Sequence, residues 1–242
     1  MRSVRRRPLL WTVVLSVLST VVGIVICLQI DWFPAQASSA AADIDTLYDV
    51  LLIVSVPIFV MVMAVVFYSL VAFKAQPGDL GDGAPIHGNT RLEVVWVTIP
   101  AIIVSALAVY GWVVLDDIEA KEPGALAVNV TGQQFAWRFA YPNDGKVKVN
   151  QLVVPEGRQV DFRVKTDDVI HDFWVPEFRL KTDAVPGLTT HIRTTPTRVG
   201  TYSVVCAELC GIGHSTMRQR VKVVPEAEFD AWIAKKGGGG QQ

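Results

Sequence analysis

Three apolar runs constrain this chain more than any other feature. Leu9–Ile30 spans 22 residues, Val50–Phe73 is broken only by Ser55, Pro57 and Ser69, and Val94–Leu115 forms the third. Each is long enough to cross a bilayer. In hydrocarbon a lone segment must satisfy its own backbone hydrogen bonds, so all three are expected to be helices. A hydrophobic content of 51% and a mean hydropathy of +0.36 agree with a membrane protein.

The first run admits two readings. It is a retained helix, or an export signal cut after Ala35-Gln36-Ala37. Its length, beyond the roughly 7–15 apolar residues of a signal, favours retention. Cys27 within it reads as a small apolar residue, since bulky Val25 and Ile26 before it disfavour lipid attachment. Charge between the runs sets an orientation. Arg2, Arg5, Arg6 and Arg7 share a side with the Lys74–Arg91 loop, whereas Asp31–Asp49 has four Asp and no Lys or Arg and belongs opposite. The chain after Leu115 is then expected on the outer face. Gln76–Asn89, with four Gly and two Pro, reads as a loop, and His87 in it as a solvated residue.

Beyond Ile118 the hydrophobic period changes to two. Ala127–Thr131, Gly132–Tyr141, Lys146–Val154, Arg158–Lys165, Thr189–Thr194, Thr201–Val205 and Arg218–Val224 read as short strands parted by Pro- and Gly-bearing turns. Six or more strands in about 110 residues, without helices between them, indicate a small Greek-key sandwich or barrel. Glu226–Lys236 reads as a short helix with Phe229, Trp232 and Ile233 on one face, and Gly237–Gln242 as a flexible tail. The expected organisation is a helix or signal over 1–37, a transmembrane hairpin over 38–117, an all-β domain over 118–225 and a helix with tail over 226–242.

Between the last two strands lies Cys206-Ala-Glu-Leu-Cys210-Gly-Ile-Gly-His214-Ser-Thr-Met217. Thiolate, imidazole and thioether are the donors that soft and borderline metals prefer. A second imidazole is expected from His171, at the end of an earlier strand. Three readings are open. Cys206 and Cys210 could form a disulfide, although so short a separation needs favourable geometry. A mononuclear blue-copper site would use Cys210, His214, Met217 and His171 but leave Cys206 without a task. A binuclear copper site, with both thiolates bridging and one His on each ion, employs every donor. Zinc is disfavoured because a thioether is a poor zinc ligand.

Cys206-x-Glu208-x-Cys210-Gly211-x-x-His214-x-x-Met217, preceded by Asp168-x-x-His171, resembles the CuA motif of cytochrome c oxidase subunit II. Leu92-Glu93-Val94-Val95-Trp96-Val97-Thr98-Ile99-Pro100 is similar to the start of that family's second core helix. The resemblance covers roughly Asp45–Trp232. It implies a membrane-anchored all-β protein, with N-terminal transmembrane helices followed by a cupredoxin-like β-sandwich. It implies two copper ions bridged by Cys206 and Cys210 and capped by His171 and His214, with Met217 and the Glu208 carbonyl as axial ligands. The Glu208 side chain would help bind a magnesium ion shared with subunit I. Glu93 would stand at the mouth of a proton path. The run Phe178–Gly187 would lie against subunit I.

The implied function is electron entry. Subunit II takes electrons from cytochrome c, or from a membrane-bound cytochrome, and passes them to the haem of subunit I, where oxygen is reduced to water with proton pumping. Partners would be subunit I, other oxidase subunits and membrane lipid, in a bacterial plasma membrane with the copper domain outside. One departure bears on the donor. The family's Gln-Trp-x-Trp reads Gln134-Phe135-Ala136-Trp137 here, so Phe135 takes the electron-entry position and Trp137 the second. Phe135 lacks the indole N–H. Phe173, Trp174 and Phe178 are candidates for an apolar shell around His171.

With a net charge of −1, nothing points to nucleic acid. From Asp116 onward, sixteen acidic and sixteen basic residues balance, so steering of a basic donor would need a local patch. Asp167, Asp168, Asp172 and Glu177 are its candidates. No Cys-x-x-Cys-His haem-attachment sequence follows the metal loop, which excludes a fused cytochrome. The full copper ligand set disfavours a quinol oxidase subunit. The rival from another class is a membrane-anchored copper carrier or assembly protein, for which Glu93 and Glu208 would have no evident use.

Overall fold

The computed structural model describes residues 6–74, 87–144 and 147–238, together with Gly78, Gly81 and Pro85. Arg2, Arg5, most of the Gln76–Asn89 loop before His87 and the last four tail residues lie outside the described residues. The chain divides into two compact units, one of Met1–Asp31 and Thr46–Trp112, the other of Trp32–Asp45 and Val113–Gln242.

The helices are α1 (Arg6–Gln29), α2 (Ser39–Ala72) and α3 (Thr90–Glu119). All three are long and apolar enough to cross a membrane. Their exposed Leu, Val, Ile and Phe side chains suit lipid as the solvent. In the first unit α1 meets α2 where Gly23 lies against Val56, since a Cβ on Gly23 would be 3.0 Å from the Val56 side chain. At the start of α3 the Asn89 side chain accepts hydrogen bonds from the Arg91 and Leu92 amides at 3.1 and 3.2 Å. Glu93 accepts in return from the Asn89 amide at 3.2 Å. This reciprocal cap satisfies amides that have no partner inside the helix. α2 begins well before Val50, because Ala40-Ala41-Ala42 are strong helix formers.

Among the described residues the second unit is a β-sandwich of ten strands. One sheet orders as β3 (Val147–Val149), β2 (Ala136–Tyr141), β1 (Leu126–Gln133), β5 (Val160–Thr166) and β8 (Thr190–Thr194). The other orders as β4 (Leu152–Pro155), β10 (Arg218–Val224), β9 (Gly200–Cys206), β6 (His171–Val175) and β7 (Leu180–Ala184). The pairs β1–β5 and β4–β10 are parallel and the rest antiparallel, as expected of a chain that crosses between sheets. Alternation places Val160, Phe162 and Val164 inward on β5, facing Phe173 and Val175 of β6 across the core. Phe162 and Phe173 rings meet at 5.5 Å. Tyr141 hydrogen-bonds across the sandwich, donating to the Val153 carbonyl at 2.6 Å and accepting from its amide at 2.9 Å. The C-terminal helix α4 (Glu226–Gly238) closes one end, with Phe229 fully buried beside Tyr141.

Two features depart from the sequence reading. The expected strand over Lys146–Val154 is two strands on different sheets, β3 and β4. His171 opens a strand instead of closing one, and its hairpin β6–β7 has no alternating signal because four of the five β6 residues are buried. The segment Trp32–Asp45 is built into this unit. The Ala37 amide donates to the Glu177 carbonyl at 3.0 Å, and the Ser38 hydroxyl to that of Phe178 at 2.8 Å. Arg179 clamps the segment, pairing with both Asp45 carboxylate oxygens at 2.8 and 2.9 Å and donating to the Pro34 carbonyl at 2.7 Å. Its guanidinium also lies over the Phe33 ring at 4.9 Å.

Candidate metal centre

The donors collect at one end of the second sheet. His171 begins β6, Cys206 ends β9 and Met217 immediately precedes β10. The loop closes on itself, because the Cys206 amide donates to the Met217 carbonyl and the Ala207 amide to the Asp172 carbonyl, both at 3.1 Å. A 3-10 turn, His214–Thr216, swings His214 back over Cys210. Cys206, Cys210, Met217 and His171 are all buried.

Their atoms converge in two linked pairs. Cys206 Sγ lies 3.9 Å from His171 Nδ1, and Cys210 Sγ 3.6 Å from His214 Nδ1. The two sulfurs are 3.8 Å apart and both thiols are free, so the disulfide reading falls. Met217 Sδ stands 3.8 Å from Cys210 Sγ, and the Glu208 carbonyl 3.3 Å from Cys206 Sγ. One ligand atom from each of His171, Cys206 and Cys210 lies within 4.8 Å of the others, close enough to hold a metal ion. The Glu208 side chain is exposed. Every donor named from the loop therefore sits at the site, while Glu93 caps α3 in the other unit.

The surroundings favour a bound cation. Burial pushes the Cys210 thiol up to about 11, and its hydrogen bond to Cys206 adds to this. A metal that displaces that proton relieves the penalty. His171 Nε2 contacts Asp168 Oδ1 at 2.8 Å, which leaves Nδ1 free to face Cys206. A carboxylate on the far ring nitrogen is the usual orienter of a metal-ligating imidazole. Asp168 is itself fixed. Burial alone would raise its pKa, but donation from the Gln134 amide, His171, the Val169 amide and Thr166 holds its carboxyl well below the usual range.

Sequence reasoning missed three contributors. Gln134 donates to the Cys210 carbonyl at 2.6 Å, tying the Gln134–Phe135 turn to the metal loop. Gly213 allows the Phe135 ring to lie on the loop backbone, since a Cβ there would come within 2.5 Å of the ring. Gly132 likewise leaves room for His171, whose ring would be 3.0 Å from a Cβ at that position. Gln134 was visible only as part of Gln134-Phe135-Ala136-Trp137, without its contact, and Gly213 only through the glycine spacing of the loop. Trp137 is fully buried and edge-on to both His171 and Phe173, at 5.9 and 5.5 Å, whereas half-buried Phe135 reaches the surface. Of the expected apolar shell, Phe173 belongs to this cluster, Trp174 points outward and Phe178 packs on Tyr202 instead.

The expected acidic patch is largely neutralised. Asp167 pairs with Arg138 at 3.1 Å and Lys165 at 3.9 Å, Asp168 with His171, and buried Asp172 with Lys181 at 3.6 Å. His191 lies on β8 beside Asp161, away from the donors, as the sequence suggested.

The chain is similar to known proteins along most of its length. The family described as cytochrome c oxidase subunit II, periplasmic domain, matches residues 146–224, and its transmembrane domain matches residues 25–114. A cytochrome c oxidase subunit 2 of Thermostichus vulcanus is 32% identical over 92% of this chain and 84% of its own length. One from Synechocystis is 29% identical over 90% and 82%. The crystal structure of the periplasmic domain of subunit II of cytochrome oxidase from Bradyrhizobium japonicum aligns with a TM-score of 0.46 and 32% identity, over 48% of this chain and 96% of that one.

Proposed function

The chain belongs to the cytochrome c oxidase subunit II family, a membrane protein with a periplasmic domain, and from that premise we propose that it is the electron-entry subunit of a haem–copper oxidase. The observation that carries this is the pairing of each cysteine sulfur with its own imidazole, at 3.9 and 3.6 Å, around two sulfurs 3.8 Å apart. A single ion would use one such pair and leave the other idle, so the arrangement supports a two-copper centre.

In this reading Cys206, Cys210, His171, His214, Met217 and the Glu208 carbonyl would hold the copper. Copper held by these residues would supply one-electron redox chemistry. The protein's own part is rigidity and exclusion of water. Asp168 fixes the His171 ring, Gln134 fixes the Cys210 carbonyl, and burial of Met217 and both thiols keeps solvent out. Electrons from a cytochrome c enter at half-buried Phe135, with Trp137 behind it against His171, and leave towards the haem of subunit I in the bacterial cell membrane. The Glu208 side chain, exposed, would share a magnesium ion with subunit I, as the family resemblance implies. The proton-path role of Glu93 rests on the family resemblance, and its carboxylate here also caps α3.

Stopped-flow mixing of reduced cytochrome c with the assembled oxidase tests the reading. Wild type should reduce the haem, whereas Cys210→Ser, with haem still bound, should not. Undiminished haem reduction in Cys210→Ser would contradict it.

A further inference from the structure

Beside the metal loop is a groove of about 620 Å³, lined by Asn150, Gln151, Ser203, Val205, Arg218, Gln219 and Arg220. Its position is fixed by register. Arg218 pairs with Val205 and Arg220 with Ser203, so the groove begins one residue from the ligands Cys206 and Met217. The two arginines project from the same exposed face of β10. Arg218 donates to the Ser215 carbonyl, and among the described residues neither guanidinium pairs with a carboxylate. Every polar side chain lining the groove can donate hydrogen bonds and none is acidic. Such a lining recognises carboxylate or phosphate.

Three of the four acids expected to attract a basic partner are engaged elsewhere. Asp167, Asp168 and Asp172 all have cationic or imidazole partners within 3.9 Å. The tip of the metal loop is open, with Leu209 78% exposed and Ile212 fully so, and its one charged side chain is the exposed Glu208. Unpaired positive charge next to these apolar side chains complements an apolar surface rimmed with carboxylates. We propose that the Arg218–Arg220 groove seats the acidic rim of the electron donor, so that docking is steered by these arginines and not by carboxylates of this chain. The inference deepens the electron-entry reading and rests on it.

The test uses the intact oxidase and two probes, an acidic and a basic c-type cytochrome, with the small reductant TMPD as control. Wild type should oxidise the acidic probe with kcat/KM that falls as salt rises. Arg218→Gln/Arg220→Gln should lose about tenfold in kcat/KM at low salt, through KM, in the range expected of electrostatic steering. Arg218→Lys/Arg220→Lys should recover most of it, and TMPD turnover should not change. An unchanged KM for the acidic probe in the Gln variant would overturn the proposal, as would wild-type preference for the basic probe with the same salt dependence. Loss of the haem-bearing partner on purification would give the groove to an oxidase subunit, and an effect confined to vesicles with anionic lipid would give it to a headgroup. Either overturns it. Undiminished TMPD turnover in Cys210→Ser would instead remove the electron-entry reading beneath it.

Discussion

Asp168 touches no sulfur, yet it determines which nitrogen of His171 can face the metal. Its contact with Nε2 at 2.8 Å fixes the tautomer. Asp168→Asn is expected to weaken copper retention by about 10–100-fold in a chelator competition, because outer partners of ligating imidazoles carry effects of that size. Asp172, next in the strand, behaves oppositely. Burial raises its carboxyl to about 6, Lys181 opposes the rise and Asp183 across the hairpin adds to it. A raised carboxyl pKa means that the folded chain holds a proton the unfolded chain releases near pH 4. The penalty is then complete above pH 6 and absent below about pH 4. Asp172→Asn should stabilise the chain by about 2 kcal/mol at pH 8 and not at all at pH 4, read as melting temperatures. A gain of equal size at both pH values would contradict the assignment.

The metal loop and the strap Trp32–Asp45 are each held by specific contacts. Phe135 rests on the loop at Gly213, so Gly213→Ala should cost about 1–3 kcal/mol by overpacking. Adding Phe135→Leu should recover part of the loss in a double-mutant cycle, and strict additivity would refute the contact. The strap is latched by Arg179, only 5% exposed. Arg179→Ala leaves Asp45 without its partner and should cost about 3–5 kcal/mol. Limited proteolysis would read this as new cleavage between Trp32 and Asp45. These elements also mark where sequence stopped being informative. The Cys206–Met217 donors and strands β5 and β8–β10 were legible because donor spacing and period-two alternation are local signals. The β6–β7 hairpin and the strap were not. Buried β6 has no alternation, and the strap's partners Glu177–Arg179 lie more than a hundred residues away.

At the scale of the whole molecule, three bilayer-length helices carry a sandwich whose sheet ends gather the donors, and that division was visible in hydropathy alone. The count of metal ions was not, since of the two copper readings only the binuclear one gave Cys206 a task. Its sulfur stands 3.9 Å from His171 and 3.8 Å from Cys210, and the two-ion proposal rests on those distances. The direct test is an electron paramagnetic resonance spectrum of the copper-loaded full chain in detergent, taken with a metal count. Two coppers per chain and a seven-line hyperfine pattern, from one unpaired electron shared over both ions, are the predicted result. One copper per chain with a four-line pattern would contradict the two-ion centre and the electron-entry role built on it.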